Sequence, residues 1–213
     1  MKKLFSKDTL REILPHTIYS FIKKKFAKKQ LKDWQKKGCP APPPHIVKQI
    51  MIQKYQKKYG YDVLVETGTF RGDMVEAQKG KFEKIFSIEI DDILFQKAKK
   101  TFKRSKNVTI LKGDSGKILP LIIKDLNKPA IFWLDGHYSG GVTGKGDKEC
   151  PIIEEINSIL SNQKLSHVLL IDDARLFIGE NDYPTLDELT TFVKSKSNKY
   201  QVTVSDDIIQ YSI

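Results

Sequence analysis

From residue 62 onward the sequence alternates short apolar runs with longer amphipathic stretches, and few folds other than repeated β-α-β units satisfy that rhythm. The apolar runs predict strands over Asp62 to Glu66, Lys84 to Glu89, Val108 to Lys112, Ala130 to Asp135 and His167 to Asp172. A final pair follows near Tyr200 to Val204 and Ile208 to Ser212. Helices are expected near Asp73 to Gln78, Ile93 to Phe102, Lys117 to Leu126, Ile152 to Leu160 and Leu186 to Lys194. Runs such as IFWL and VLLI are apolar at every position, which predicts a parallel sheet covered on both faces. Asp206 and Asp207 sit where a tight turn joins the last two strands, so an antiparallel strand ends the sheet.

The chain of 213 residues is long enough for one such α/β domain with an accessory segment and too short for two typical domains. The accessory segment lies at the front. Residues 1–58 hold 16 basic residues against 3 acids, whereas the other 155 hold 21 against 23. The net charge of +11 therefore belongs to an appendage, and the α/β part is close to neutral. Within that appendage Leu10, Ile13, Leu14, Ile18, Phe21, Ile22 and Phe26 recur at helical spacing among lysines. The segment from Ser6 to Lys37 reads as one or two amphipathic helices, bent near Pro15. It would lie on an anionic membrane surface, hold a partner, or pack on the domain or on a second subunit in a homodimer. The run CPAPPPH at Cys39 to His45 breaks the helix, so the division expected is a basic extension over 1–44 and a catalytic domain over 45–213. A further helix over His45 to Tyr59, stopped by Gly60, is expected to cover one edge of the sheet.

No stretch has the length and apolarity of a membrane span or a signal peptide, so the expected location is the cytoplasm, with attachment at the membrane periphery open. Cys39 and Cys150 are far apart and form no C-x-x-C pair, which points to free thiols.

The chemistry concentrates at strand ends. In VLVETGTFRGD a strand runs into a turn where Gly68 and Gly72 permit close backbone approach by a ligand. Only two glycines are present, so the G-x-G-x-x-G dinucleotide fingerprint is absent, and no G-K-[ST] follows for a Walker A loop. Glu89 ends the second strand about twenty residues later, where an acid accepts hydrogen bonds from ribose hydroxyls. Asp114 and Ser115 end the third strand, where Asp114 would accept from an exocyclic amine or simply cap the next helix.

The ordered set VETGTFRGD, SIEID, LKGDS, FWLDGHY and LLIDDA resembles the class I S-adenosylmethionine-dependent methyltransferase family over roughly residues 60–213. The resemblance implies a Rossmann-like, doubly wound, seven-stranded and mostly parallel sheet with an antiparallel last strand. It also implies that Glu66, Gly68 and Thr69 line the methionine and ribose portions of S-adenosylmethionine. Glu89 would bind the ribose, and Asp114 with Ser115 would border adenine. The first loop departs from the common E-x-G-x-G-x-G form in having Phe70 in place of the middle glycine.

Asp135, Asp172 and Asp173 end the fourth and fifth strands, and three converging carboxylates require a cation or hydrogen-bond donors. Mg²⁺ suits such an oxygen-rich set and would hold an acceptor hydroxyl beside the methyl donor; the arrangement is similar to metal-dependent O-methyltransferases of catechols and of sugar hydroxyls. Alternatively Asp135 orients cofactor or substrate while Asp172 and Asp173 cap the next turn. His137, two residues past Asp135, is the candidate general base, since imidazole titrates near ~6.5. The amino-methylating members of the family carry a proline pair after the fourth strand, and DGHY lacks it. The loop SGGVTGKGDKECP is a candidate cover or phosphate-binding segment, and Arg175 and Tyr183 are candidate substrate contacts. The expected activity is methylation of a hydroxyl on a small molecule, such as a sugar or glycan intermediate. The alternatives are an RNA methyltransferase or nucleic-acid-binding protein using the basic extension, and a membrane or scaffold module without catalysis.

Overall fold

A computed structural model describes residues 16–136, 150–161 and 164–213. Two helices, α1 (His16–Lys36) and α2 (His45–Tyr59), precede β1 (Val63–Thr67), α3 (Asp73–Gln78), β2 (Lys84–Glu89), α4 (Asp92–Phe102), β3 (Val108–Lys112) and α5 (Ser115–Asp125). Then come β4 (Ile131–Leu134), α6 (Ile152–Ile159), β5 (Val168–Ile171), a 3₁₀ turn (Ala174–Leu176), α7 (Leu186–Lys196), β6 (Gln201–Ser205) and β7 (Ile208–Ser212). The helix expected over Ser6 to Lys37 is seen as α1; Pro15 and the residues before it lie outside the described residues.

The strands form one seven-stranded sheet in the order β3-β2-β1-β4-β5-β7-β6. β1 to β5 run parallel, and β7 enters antiparallel between β5 and β6. Asp206 and Asp207 make the hairpin turn with φ of 54° and 61°, the left-handed backbone that a two-residue turn between twisted strands demands.

Period-two alternation divides the core between the two faces of the sheet. Val63, Val65, Phe132, Leu134, Leu169 and Ile171 pack with α5, α6 and α7, while Leu64, Ile131, Trp133, Leu170 and Ile208 pack with α2, α3 and α4. Every residue of β4 and β5 is buried on both faces, which is why IFWL and VLLI are apolar at every position. The helix α2 departs from its expected place at an edge. Its Val47, Met51, Ile52 and Tyr55 are buried, the last three against residues of β1, β4, β5 and β7, so it covers the middle of a face. The Tyr55 hydroxyl donates to Gln210 on β7 at 3.1 Å, which sets its angle across the sheet. Gly60 ends α2 in the left-handed conformation, with φ of 67°.

Side-chain capping fixes the starts of α4, α5 and α7. Asp91 accepts from the Leu94 amide at 2.8 Å, Asp114 from the Gly116 amide at 2.9 Å, and Thr185 with Glu188 forms a capping box on α7. The caps of α4 and α5 lie at the carboxyl edge of the sheet, where the candidate ligands also gather.

Candidate active site

The turn after β1 is built against the strand end of β4. A Cβ on Gly68 would lie 2.4 Å from the Asp135 carbonyl oxygen, and φ at Gly68 is +86°, so both space and backbone demand glycine. Gly136 is similarly tight, since a Cβ there would meet Thr67 at 3.0 Å and Glu155 Oε1 at 3.2 Å. The amides of Gly68 and Thr69 both donate to the Ile88 carbonyl, at 3.0 and 3.1 Å, tying this turn to β2. Phe70 adopts φ of 49°, so it takes the left-handed conformation that a glycine would take there. Its ring is partly exposed and lies 5.3 Å from the Arg71 guanidinium.

Glu89 organises this turn. One carboxylate oxygen accepts from the Phe70 amide at 2.7 Å and the other from the Asp91 amide at 2.9 Å. Burial pushes its carboxyl up, and those amide donors oppose the push. Each oxygen retains a lone pair in this arrangement, so a vicinal diol can still donate to it. Glu66 lies deeper, only 2% exposed, accepting from the Ser87 hydroxyl, which is itself 2.6 Å from the Thr69 hydroxyl. Burial pushes the Glu66 carboxyl up to about 8, against the pull of the Ser87 hydrogen bond, and the nearby charges of Glu89 and Asp73 add to the rise. Ser115 is buried in the first turn of α5. Asp114 does cap that helix through Oδ1, the simpler of its two expected roles.

Asp135, Asp172 and Asp173 converge, each placing a carboxylate oxygen within 4.8 Å of the others. The positive charge that such a cluster needs comes from Lys48 on α2. Its ammonium donates to Asp172 and lies 3.9 Å from Asp173. Burial alone would lower the Lys48 pKa, but Asp172, Asp135 and Asp173 outweigh it and hold the ammonium above its usual range. Asp172 is wholly buried, so the pair is shielded from solvent screening. Asp172 also accepts from the Asp173 amide at 2.9 Å.

The hairpin turn braces this loop. Ala174 N donates to the Asp207 carbonyl at 2.8 Å, and the Arg175 guanidinium joins Asp173, at 2.8 Å, to Asp207. Arg175 is thus committed to carboxylates of its own chain. Tyr183 is buried edge-on against Phe177 at 5.4 Å. His137 and residues 138–149 of the glycine-rich loop lie outside the described residues.

Three participants escape sequence reasoning. Lys48 sits on a helix before the β-α alternation begins, and only tertiary packing brings it to the strand ends. Ser87 does leave a trace, as a polar residue inside the strand run IFSIE. Glu155, 2% exposed beside Gly136, is hidden in an acidic pair at the start of α6. The buried His167 lies just before β5, at the opposite edge, accepts from the Ala130 amide at 3.1 Å and is pulled down to about 4 by burial. Of the two thiols, Cys39 is exposed and Cys150 buried. Among the described residues no helix is long and apolar enough to cross a membrane.

No protein-family model matches the chain, and no curated protein matches it in sequence. Solved structures do match. An O-methyltransferase from Bacillus cereus in complex with SAH aligns over 100% of both chains at 13% identity and a TM-score of 0.57. The O-methyltransferase TomG from Streptomyces achromogenes, in complex with SAM, aligns over 88% of each chain at 14% identity and a TM-score of 0.55. The SAH-bound methyltransferase PaMTH1 from Podospora anserina aligns over 94% of this chain and 97% of its own at 14% identity and 0.54. Similarity at this level speaks for architecture, and with the strand order and the reversed β7 it shows that the chain has the Rossmann-like fold of the class I S-adenosylmethionine-dependent methyltransferases.

Proposed function

We propose that the chain is an S-adenosylmethionine-dependent O-methyltransferase acting on a hydroxyl of a small molecule, with sugar and glycan hydroxyls as the acceptor class. One observation carries this reading: the turn that would cradle the cofactor is packed directly on Asp135, a member of the carboxylate cluster. A methyl donor and an acceptor-binding group are thereby adjacent at one sheet edge. The O-methyltransferases among the structural neighbours support the same acceptor atom.

The residues present fit the cofactor. Glu66, Gly68 and Thr69 would hold its methionine and ribose portions, Glu89 its ribose, and Asp114 with Ser115 its adenine, with Asp135 close to the reacting end. Bound S-adenosylmethionine supplies a methyl group already activated by the sulfonium, so no nucleophilic Ser or Cys is required. The chain's own tasks are to orient the acceptor, remove its proton and exclude water. His137, two residues beyond Asp135, is proposed as the base that takes the proton from the acceptor hydroxyl.

Asp135, Asp172 and Asp173 also fit a divalent ion, because carboxylate oxygens at this spacing are hard ligands of the kind Mg²⁺ takes. Mg²⁺ there would supply Lewis acidity toward the acceptor oxygen. Lys48 shares that place, offsetting one of the three carboxylate charges and offering hydrogen-bond donors toward an acceptor oxygen.

The test is calorimetric titration of S-adenosylmethionine into wild type, Glu89→Gln and Glu89→Ala, followed by turnover of sugar-hydroxyl acceptors with Mg²⁺ and with chelator. Micromolar binding by wild type, weakened in the Gln variant, supports the cofactor site. The Ala variant also loses the anchor for the Phe70 and Asp91 amides, so its melting temperature is measured beside it. Absence of binding by folded wild type would sink the reading.

A further inference from the structure

In α1, Ile18, Ile22 and Phe26 recur every fourth residue, which places them on one stripe of the helix, and they are 49%, 44% and 49% exposed. The opposite side of the helix, with Ala27, Gln30, Leu31 and Trp34, is only partly exposed. The helix therefore leaves three large apolar side chains in solvent in addition to the Ala27, Leu31 and Trp34 that it turns inward. Lys24, Lys25, Lys28, Lys29, Lys32 and Lys36 are exposed around and beyond that stripe. From residue 16 to residue 58 there are twelve lysines and a single acid, Asp33.

We infer that α1 is a docking surface for an anionic lipid bilayer, its Ile18, Ile22 and Phe26 entering the headgroup layer while the lysines meet lipid phosphates. Both halves of that surface are needed by such a partner: a basic amphipathic helix binds through buried apolar area together with attraction to anionic lipid. Nucleic acid would reward the lysines but gives nothing for an exposed Ile-Ile-Phe stripe. A second copy would set one lysine-rich face against another.

The helix is also oriented relative to the candidate site. Lys23 is ion-paired at 2.7 Å with Asp73, the first residue of α3, immediately after the glycine turn. Docking through α1 would therefore hold the carboxyl edge of the sheet close to the bilayer. Binding through this surface does not depend on which molecule accepts the methyl group.

The experiment is flotation of the full-length protein with vesicles of phosphatidylcholine alone and of phosphatidylcholine with phosphatidylglycerol. Wild type should float with the anionic vesicles and stay behind with the neutral ones. The double variant Ile22→Asn, Phe26→Asn, which keeps every lysine and adds no charge, should lose about tenfold or more of this binding. Its far-UV spectrum, melting temperature and S-adenosylmethionine titration are checked against wild type, which separates loss of the surface from loss of the fold or of the cofactor site. No association of wild type with anionic vesicles would overturn the inference. So would binding to anionic vesicles and to transfer RNA alike that the double variant leaves unchanged, because the lysines alone would then account for it. A concentration-dependent dimer on size exclusion that the double variant abolishes, without vesicle binding, would assign the stripe to a second copy instead.

Discussion

The buried Glu66 offers a quantitative test of the site. Its carboxyl is pushed up to about 8 in the folded protein by burial, from an ordinary 4.5. The folded state therefore keeps a proton that the unfolded chain releases, and stability falls as pH rises from about 4.5 through 8. Between pH 5 and pH 8 the loss integrates to about 3 kcal/mol at ~1.36 kcal/mol per pH unit, with the transition rounded at both ends. Glu66→Gln keeps the shape and an acceptor for Ser87 but has no proton to lose. The melting temperature of the variant relative to wild type, measured calorimetrically without cofactor, should rise across that interval. For a chain of this size about 3 kcal/mol corresponds to roughly 6 to 12 °C. The comparison uses the change in the difference between the curves, so any pH-independent effect of the substitution cancels. Parallel curves for the two proteins between pH 5 and 8 would refute the claim that an ionised Glu66 is costly in its buried setting.

Three further outcomes are expected. Lys48→Met leaves the Asp172 carboxylate buried without its partner, so stability without metal should drop by about 3 kcal/mol and Mn²⁺ affinity should rise by about tenfold or more; equal Mn²⁺ affinity by calorimetry in both proteins would show that Lys48 does not compete for the cluster. Gly68→Ala drives a methyl into the Asp135 carbonyl at a positive φ, and should cost about 2 to 4 kcal/mol by urea unfolding while abolishing S-adenosylmethionine binding. His167 is pulled down by burial to about 4 from 6.5, so the folded state resists protonation and stability is lost as pH falls from 6.5 to 4, by about 3 kcal/mol. His167→Gln should flatten that acid limb in melting curves.

The sequence already carries the local decisions. β2, β3 and β7 end where their apolar patterns end, and the Asp206-Asp207 turn is legible because left-handed turn positions favour Asp. Gly68 and Glu89 were identifiable because the spacing between a glycine turn and the next strand end reflects one β-α-β unit. The structure places Glu89 on backbone amides of that turn, an additional duty no spacing discloses. The contact of Lys48 with Asp172 spans 124 positions and depends on how α2 lies over the sheet. Its apolar positions specify that α2 is buried on one side, yet carry no signal for a face in preference to an edge. Phe70 illustrates a different gap: the missing glycine was evident, but only the backbone reveals that phenylalanine adopts the conformation a glycine would have taken.

The antiparallel entry of β7 between β5 and β6 bears on the order in which the molecule can be assembled. Until residues 208–212 have left the ribosome, β5 presents an unpaired edge of wholly buried type, rich in valine, leucine and isoleucine. The same hairpin delivers Asp207 to Ala174 and Arg175, so the loop bearing Asp172 and Asp173 gains this brace only once residues 201–212 have been made. A nascent chain halted before residue 208 would thus carry a sticky edge beside an unfinished acidic cluster, making it a natural client for chaperones and a poor competitor for ligand.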